Sequence, residues 1–498
     1  MHRTGGSDPA EMSFSLSSSQ TKRISILNFI IVSAVVVTAV AVVVYVIVGA
    51  YHPEKIQGAF DNCYHSVSGK SSENHRQIVN FHQHIKTIPW MKDVEILWDN
   101  EVHNEFAYIR YASLPPPTKT LEKIAFGSCI DQNVEDHSFW NIITEASPDI
   151  FLLIGDTVYA ECTTLECHEL NHAYHTLARN HSYFLTSVLH VPILASLDDN
   201  DYGINNANLN NPYKDQARHT FLNFFQVPKE DPRWTQADGV YTSQIYGDFT
   251  RGTAVQIIIL DARYSLGDFP LIDITDPFAG FKPYDYTKDK DPPSILGETQ
   301  WIWLEKQLVD TLANLRFIVS SIQVLAEGHP FESWQIFSRE RIRLLSLIGR
   351  PDVLGTTVIL TGDRHVGGIY RVKDPLSYYN ASQYGFSDLF VNGNSSAIID
   401  ITSSSLTHTI PLGVYCRVPG GRTPAACDEI DRTRITPFVR QNNFGLIEID
   451  YLTRVASISL RPTYHVRTYP FTTGSKPKFE SGSGPLLANP LPYNYLKA

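Results

Sequence analysis

Positive charge is scarce in this chain. Lys and Arg number 41 against 52 Asp and Glu, which leaves a net charge of −11, and nowhere do the bases gather into a stripe. A nucleic-acid binder neutralises phosphates with clustered Lys and Arg, so that class is excluded. A small anionic substrate is not, because metal ions supply local positive charge whatever the net balance. Internal repeats and long low-complexity blocks are also missing. With 43% hydrophobic and 19% charged residues the bulk of the chain has a globular composition, which removes disorder as its general reading. Cysteine is sparse, six in 498 residues. Cys162 and Cys167 share a polar loop, and Cys416 and Cys427 flank a Pro/Gly-rich loop, so both pairs read as local staples of an oxidising compartment. Cys63 has no evident mate.

Charge is absent altogether from Ile24 to Pro53, and Leu27 to Ala50 is almost wholly apolar. That run exceeds the roughly 20 residues that span a bilayer as a helix. It lacks the polar face of a core helix and outruns the apolar region of a cleaved signal. It predicts a retained anchor, the lipid bilayer being a partner through Leu27–Ala50. Lys22 and Arg23 precede the span, whereas Glu54 and Lys55 after it cancel. The expected protein is therefore single-pass type II, with everything past the span extracellular or luminal. Asn180, Asn380 and Asn394 open glycosylation sequons on that side. Nothing in the sequence points to a protein partner.

The expected organisation is a cytosolic tail (1–23), a transmembrane helix (24–51), a stalk and lead-in (52–120), a main domain (121–470) and a C-terminal tail (471–498). Within the main domain, short apolar runs end abruptly in polar residues or glycine: Ile124-Ala-Phe, Ile150-Phe-Leu-Leu-Ile, Val191-Pro-Ile-Leu-Ala, Val255-Gln-Ile-Ile-Ile-Leu, Phe317-Ile-Val and Val358-Ile-Leu. Between them lie amphipathic stretches. Trp301, Leu304, Leu308 and Leu312 share one helical face, and Arg341 to Ile348 behaves similarly. Strands alternating with helices and long loops predict α/β layers.

Several of these runs end in metal-binding residue types: Phe126-Gly-Ser-Cys129, Gly155-Asp156-Thr-Val-Tyr159, Leu197-Asp198-Asp199-Asn200-Asp201 and Gly362-Asp363-Arg364-His365. Each is weak alone. Gly-Asp is an ordinary turn, an acidic run is usually a solvated loop, and a lone Cys is usually a small buried hydrophobe. Their occurrence in order, each after a β-type run, changes the reading. In open α/β sheets ligands gather at the carboxyl ends of strands, where loops converge. A thiolate, a phenolate, an imidazole and carboxylates so placed can hold a pair of metals, which clamp the attacking and leaving oxygens of a phosphoryl displacement.

The ordered set resembles the alkaline phosphatase D (PhoD-like) family of the calcineurin-like metallophosphoesterase superfamily. Leu260-Asp261-Ala-Arg263-Tyr264, Leu296-Gly297-Glu-Thr-Gln300-Trp, and Glu332-Ser-Trp334 with Arg339-Glu-Arg341 are similar to further pieces of that family. The resemblance implies an α/β fold, a four-layer α/β/β/α sandwich, and a phosphate-ester hydrolase with two metal ions, ferric iron and calcium. By matching motif, Cys129, Asp156, Tyr159 and His365 would bind iron, with Asp156 bridging. Asp198, Asp199 and Asp363 would take the second ion, and oxygen ligands suit a hard cation such as calcium. Asp156, Asp199, Asp363 and His365 would be the catalytic set. Arg263, Arg364, Asn200 and Asn206 would contact substrate.

One departure stands out. The family reads Asp-Asp-His-Asp/Glu at the third motif, and this chain has Asn200 in place of the His. Asn cannot protonate a leaving group. Either water serves, or His329 or His408 reaches in, or activity is weak. His329 could instead bind the second metal, and Ser403 to Ser405 would line the pocket edge. The expected reaction is in-line hydrolysis of phosphomonoesters or diesters without a covalent intermediate. The alternative is a catalytically impaired ectodomain used for binding or adhesion.

Overall fold

The structure is a computed structural model describing residues 106–271, 281–285, 293–380, 397–410 and 430–463, with the backbone of 486–487 and 491–492. The Leu27–Ala50 run, Cys63, Cys416, Cys427 and Asn394 lie outside the described residues. Among the described residues, no helix is long and apolar enough to cross a membrane.

The apolar runs become strands: β1 (Lys123–Gly127), β2 (Ile150–Ile154), β3 (Ile193–Ser196), β4 (Thr242–Tyr246), β5 (Val255–Ile259), β6 (Leu315–Ser320), β7 (Thr356–Thr361), β8 (Gly367–Val372), β9 (Ile398–Ser403), β10 (Asn443–Asp450) and β11 (Val455–Pro462), followed by the short β12 (Leu486–Leu487) and β13 (Leu491–Pro492). The helices are α1 (Phe139–Glu145), α2 (His168–Asn180), α3 (Ser182–His190), α4 (Lys214–Phe224), α5 (Glu298–Val309), α6 (Ser338–Ile348) and α7 (Pro375–Tyr378).

Two mixed sheets result. The first runs β12-β11-β10-β1-β2-β3, with β13 also on β11; the second runs β4-β5-β6-β7-β9-β8. β1, β2 and β3 pair in parallel, as do β5, β6, β7 and β9. The central strands are buried throughout, which is why Ile150–Ile154 reads as a continuous apolar run and Val255–Ile259 as one interrupted only by Gln256. Alternate residues still face opposite ways. Ile124, Phe126, Leu152 and Ile154 join Ile257, Ile259, Phe317 and Val358 in a cluster between the sheets. Ala125, Phe151 and Leu153 pack instead with Trp140, Tyr174, Leu177, Phe184 and Phe221 from α1 to α4. On the other side Ile258, Ile318 and Ile359 meet Trp301, Leu304, Leu308 and Ile342 from α5 and α6.

Two details differ from the sequence reading. Helix α5 stops at Val309, so Leu312 leaves the predicted face and is exposed. The packing also begins before Leu121. Phe106 and Ile109 are buried, and the Phe106 ring meets Phe224 edge-on at 5.1 Å.

Candidate metal centre

Parallel pairing places the carboxyl ends of β1, β2 and β3 at one edge, and the loops leaving them carry Cys129, Asp156 and Asp198 with Asp199. The loop after β7, in the other sheet, carries Asp363 and His365. The two sheets come very close here. A Cβ on Gly362 would lie 2.6 Å from Ser128 Oγ and 2.8 Å from the Ile154 carbonyl, so no side chain fits. Cys129, Asp156, Asp363 and His365 all have positive φ, at 64°, 49°, 66° and 54°. Non-glycine residues rarely hold that conformation, and where they do it clusters at functional sites.

Two groups of donors form, and they share one residue. In the first, ligand atoms of Cys129, Asp156 and His365 lie within 4.8 Å of one another. The Tyr159 hydroxyl joins them, donating to Asp156 Oδ2 at 3.0 Å and lying 2.9 Å from His365 Nε2. In the second, carboxylate oxygens of Asp156, Asp198, Asp199 and Asp363 meet the same limit. Asn200 stands over the junction, its amide donating to Asp156 Oδ1 and Asp199 Oδ1, both at 3.2 Å.

Arg263 belongs to the second group. It is fully buried, and Nε donates to Asp198 Oδ1 at 2.5 Å while Nη2 lies 3.3 Å from Asp363 Oδ1 and 3.6 Å from Asp199 Oδ1. Its Nη1 bonds Glu332. The structure thus places this arginine among carboxylates, away from any open face where it could grip a substrate phosphate. Asn206 is half-buried; its N–H donates to Asp199 Oδ2 at 2.6 Å, and its amide reaches Glu332. Arg364 is buried with its guanidinium 4.6 Å above the Phe331 ring.

The electrostatics ask for more cation than the side chains provide. Burial, reinforced by the neighbouring carboxylates, holds Asp156 and Asp363 well above the usual carboxylate range. Burial pushes Asp198 up to about 6 and Glu332 to about 7, although Arg263 opposes both. The Cys129 thiol and Tyr159 phenol are raised by burial first and by Asp156 second. His365 is pushed down to about 3 by burial, then by His408 and Arg364, which keeps it the neutral imidazole that metals bind. Buried carboxylates facing each other with one guanidinium between them are the setting in which a bound cation reverses the local pKa logic. The residues present fit a metal: sulfur, phenol and imidazole donors on one side, oxygen donors on the other.

A sequence profile of the PhoD-like phosphatase family matches residues 124–459, which runs from β1 into β11. The chain belongs to the PhoD-like phosphatases. Among solved structures it is similar to one described as "Structure of PhoD", at 16% identity and a TM-score of 0.50, covering 70% of this chain and 68% of that one. That likeness is one of fold. No curated protein matches the chain. Phosphate-ester hydrolysis is therefore the chemistry of its family, and the substrate is a phosphate ester.

Against that family background, other residues matter that the sequence reading assigned no role. Asp201 Oδ1 accepts from Thr157 N–H and the Tyr174 hydroxyl, both at 3.0 Å, and its Oδ2 accepts from Asp198 N–H at 3.0 Å, so it ties the loops after β2 and β3 together. Glu332 anchors Arg263. Both stand within motif pieces quoted above, but no role attaches to them there, because each acts through what it holds. His329 is buried, and both of its ring nitrogens are already engaged. Phe331 N–H donates to its Nδ1 at 3.2 Å, so Nε2 carries the proton toward Gln323 Oε1 at 2.8 Å. His408 stands edge-on to His365, ring centres 4.3 Å apart, with Nδ1 held 2.9 Å from Thr407 Oγ1. Of the serine run, Ser404 Oγ lies 3.1 Å from Cys129 Sγ and accepts from His365 N–H at 2.7 Å. The structure also joins Cys162 to Cys167.

Proposed function

We propose that this chain hydrolyses phosphate esters at a dinuclear metal centre carried by an α/β/β/α sandwich and held at a membrane by Leu27–Ala50, the catalytic domain facing out of the cytosol. The observation that carries the reading is the pair of donor groups sharing Asp156. Cys129, Asp156, Tyr159 and His365 would hold the first ion. A thiolate and a phenolate on one ion favour ferric iron. Asp156, Asp199 and Asp363, with Asp198 beside them, would hold the second, whose oxygen donors suit calcium. When bound, such a pair neutralises the developing charge of phosphoryl transfer and activates water.

The chain's own residues do the remainder. Arg263 fixes Asp198 and Asp363 against their mutual repulsion, and Glu332 fixes Arg263. Asn200 directs an amide toward Asp156 and Asp199 and has no proton to give. With His329 committed to Gln323, delivery of a proton to the leaving oxygen falls to part-exposed His408 or to solvent.

Elemental analysis of the purified full-length chain, with a visible spectrum and a p-nitrophenyl phosphate assay, tests this. About one iron and one calcium per chain are expected, with a tyrosinate-to-iron band absent from Tyr159→Phe. Asp156→Ala should lose both ions and at least 100-fold in turnover, in line with the size of single electrostatic catalytic contributions, on the order of 10²–10³. Retention of metal or activity in Asp156→Ala would sink the assignment.

A further inference from the structure

Tyr159 lies well past Ile154, where β2 ends, so no ladder hydrogen bond holds its backbone. One side chain does so instead. Gln132 Nε2 donates to the Tyr159 carbonyl at 2.7 Å, and Tyr159 N–H donates to Gln132 Oε1 at 2.9 Å. The amide pairs with both backbone groups of a single residue, as a neighbouring strand would. Gln132 is buried at 5% exposure, and it sits in the loop that also carries Cys129.

That loop is itself held on several sides. The Gln132 carbonyl accepts from His181 Nε2 at 2.7 Å, and the Asp131 carbonyl accepts from His137 Nε2 at 3.0 Å. A carbonyl only accepts, so both rings carry a proton on Nε2. The two rings stack with centres 3.4 Å apart and planes 5° from parallel. Asp131 N–H donates to Thr407 Oγ1 at 2.8 Å, and Ile130 N–H to the Asp156 carbonyl at 2.8 Å. The loops of Cys129, Asp156 and Tyr159 are thereby cross-linked, with Gln132 the link to Tyr159.

We propose that Gln132 is a positioning residue for Tyr159: its amide fixes the tyrosine backbone so that the phenol lies on Asp156 and His365, where it can serve as a metal ligand. The claim rests on the dinuclear reading above. Partners that orient metal ligands typically alter metal affinity or activity by about 10- to 100-fold when removed. A mere packing role would leave the electronic spectrum of a bound metal unchanged.

The test uses the full-length chain, loaded with ferric iron and calcium, as wild type, Gln132→Ala, Gln132→Glu and Tyr159→Phe. Gln132→Ala should retain iron while its tyrosinate-to-iron band shifts and weakens. Its kcat should fall about 10-fold or more with KM little changed. Gln132→Glu keeps an acceptor for Tyr159 N–H but loses the donor, and should fall between. If Gln132→Ala does not fold by circular dichroism, Gln132→Glu carries the same readings. In metal-free protein, nitration of Tyr159 by tetranitromethane, mapped by peptide mass spectrometry, should be several-fold faster in Gln132→Ala. A wild-type band and kcat in both Gln132 variants overturn the proposal, even with faster nitration. If loaded wild type shows no band that Tyr159→Phe removes, the dinuclear reading fails at Tyr159 and the proposal falls with it. The nitration rates then report separately whether the clamp exists.

Discussion

Asn200 is buried at 9% exposure and directs its amide at two carboxylates of the proposed centre, in the place where the resemblance leads one to expect histidine. An amide can orient but cannot donate a catalytic proton. Its cost should therefore depend on the leaving group. Asn200→His should raise turnover of an alkyl phosphate ester by about 100-fold, the lower bound for general acid catalysis. It should leave a nitrophenyl ester, whose leaving group needs no proton, nearly unchanged. Steady-state kinetics on the two substrates decides this, and equal effects on both would show that position 200 does not bear on protonation. Residues of this kind were legible because each follows a strand as a metal-binding type: Cys129, Asp156, Asp198 and Asp363 all stand two positions past a strand end. Gln132 was not legible at all, and Asp201 and Glu332 were legible only as members of motif pieces, without a role. They hold backbone or other side chains across long sequence separations, and a pattern read along the chain does not show whom they face.

Among elements, legibility followed apolar composition rather than burial alone. Strands that are mostly apolar runs announce themselves; β4, β8, β9 and β10 do not, although β9 is buried throughout, because Asp400, Thr402 and Ser403 break its pattern. β4 is only partly buried along most of its length, β8 opens with Gly367-Gly368, and β10 is broken by Gly445. The break in β10 has a cause in the neighbouring strand. Gly445 pairs with Phe126 of β1, and a Cβ there would fall 2.1 Å from the ring. The ring occupies the space that a side chain on β10 would fill. Gly445→Ala should overpack this contact and cost about 2–3 kcal/mol. In urea denaturation the midpoint should drop while the m-value holds, and an unchanged midpoint would show that the sheets accommodate the methyl group. The end of α5 at Val309 was missed for another reason: Leu312 continues the apolar spacing although the helix has already stopped, so periodicity overran the boundary.

For the molecule as a whole, the proposed centre is supplied by both sheets: Cys129, Asp156, Asp198 and Asp199 from the first, Asp363 and His365 from the second. Ions bound there stabilise the docked state alone. At a free concentration about 1,000-fold above Kd the linkage is about 4 kcal/mol. Stripping the protein with a chelator should then lower Tm by roughly 5 °C, because an unfolding entropy of about 2.1 cal/mol/K per residue over about 350 residues makes 1 kcal/mol worth about 1.3 °C. Scanning calorimetry before and after chelation, then after re-addition of iron and calcium, checks it. A Tm indifferent to chelation would mean the carboxylates are satisfied by protons and Arg263 without metal.

The position of β1 between β2 and β10 has a consequence for how the chain is made. β1 and β2 leave the ribosome early and can pair at once, but the other edge of β1 waits for Asn443–Asp450. At about 10 residues per second that interval is roughly half a minute, during which the unpaired edge of β1 stands open to another strand. A chain truncated ahead of β10 should therefore be more prone to aggregate than the full chain, even though it contains every proposed metal ligand.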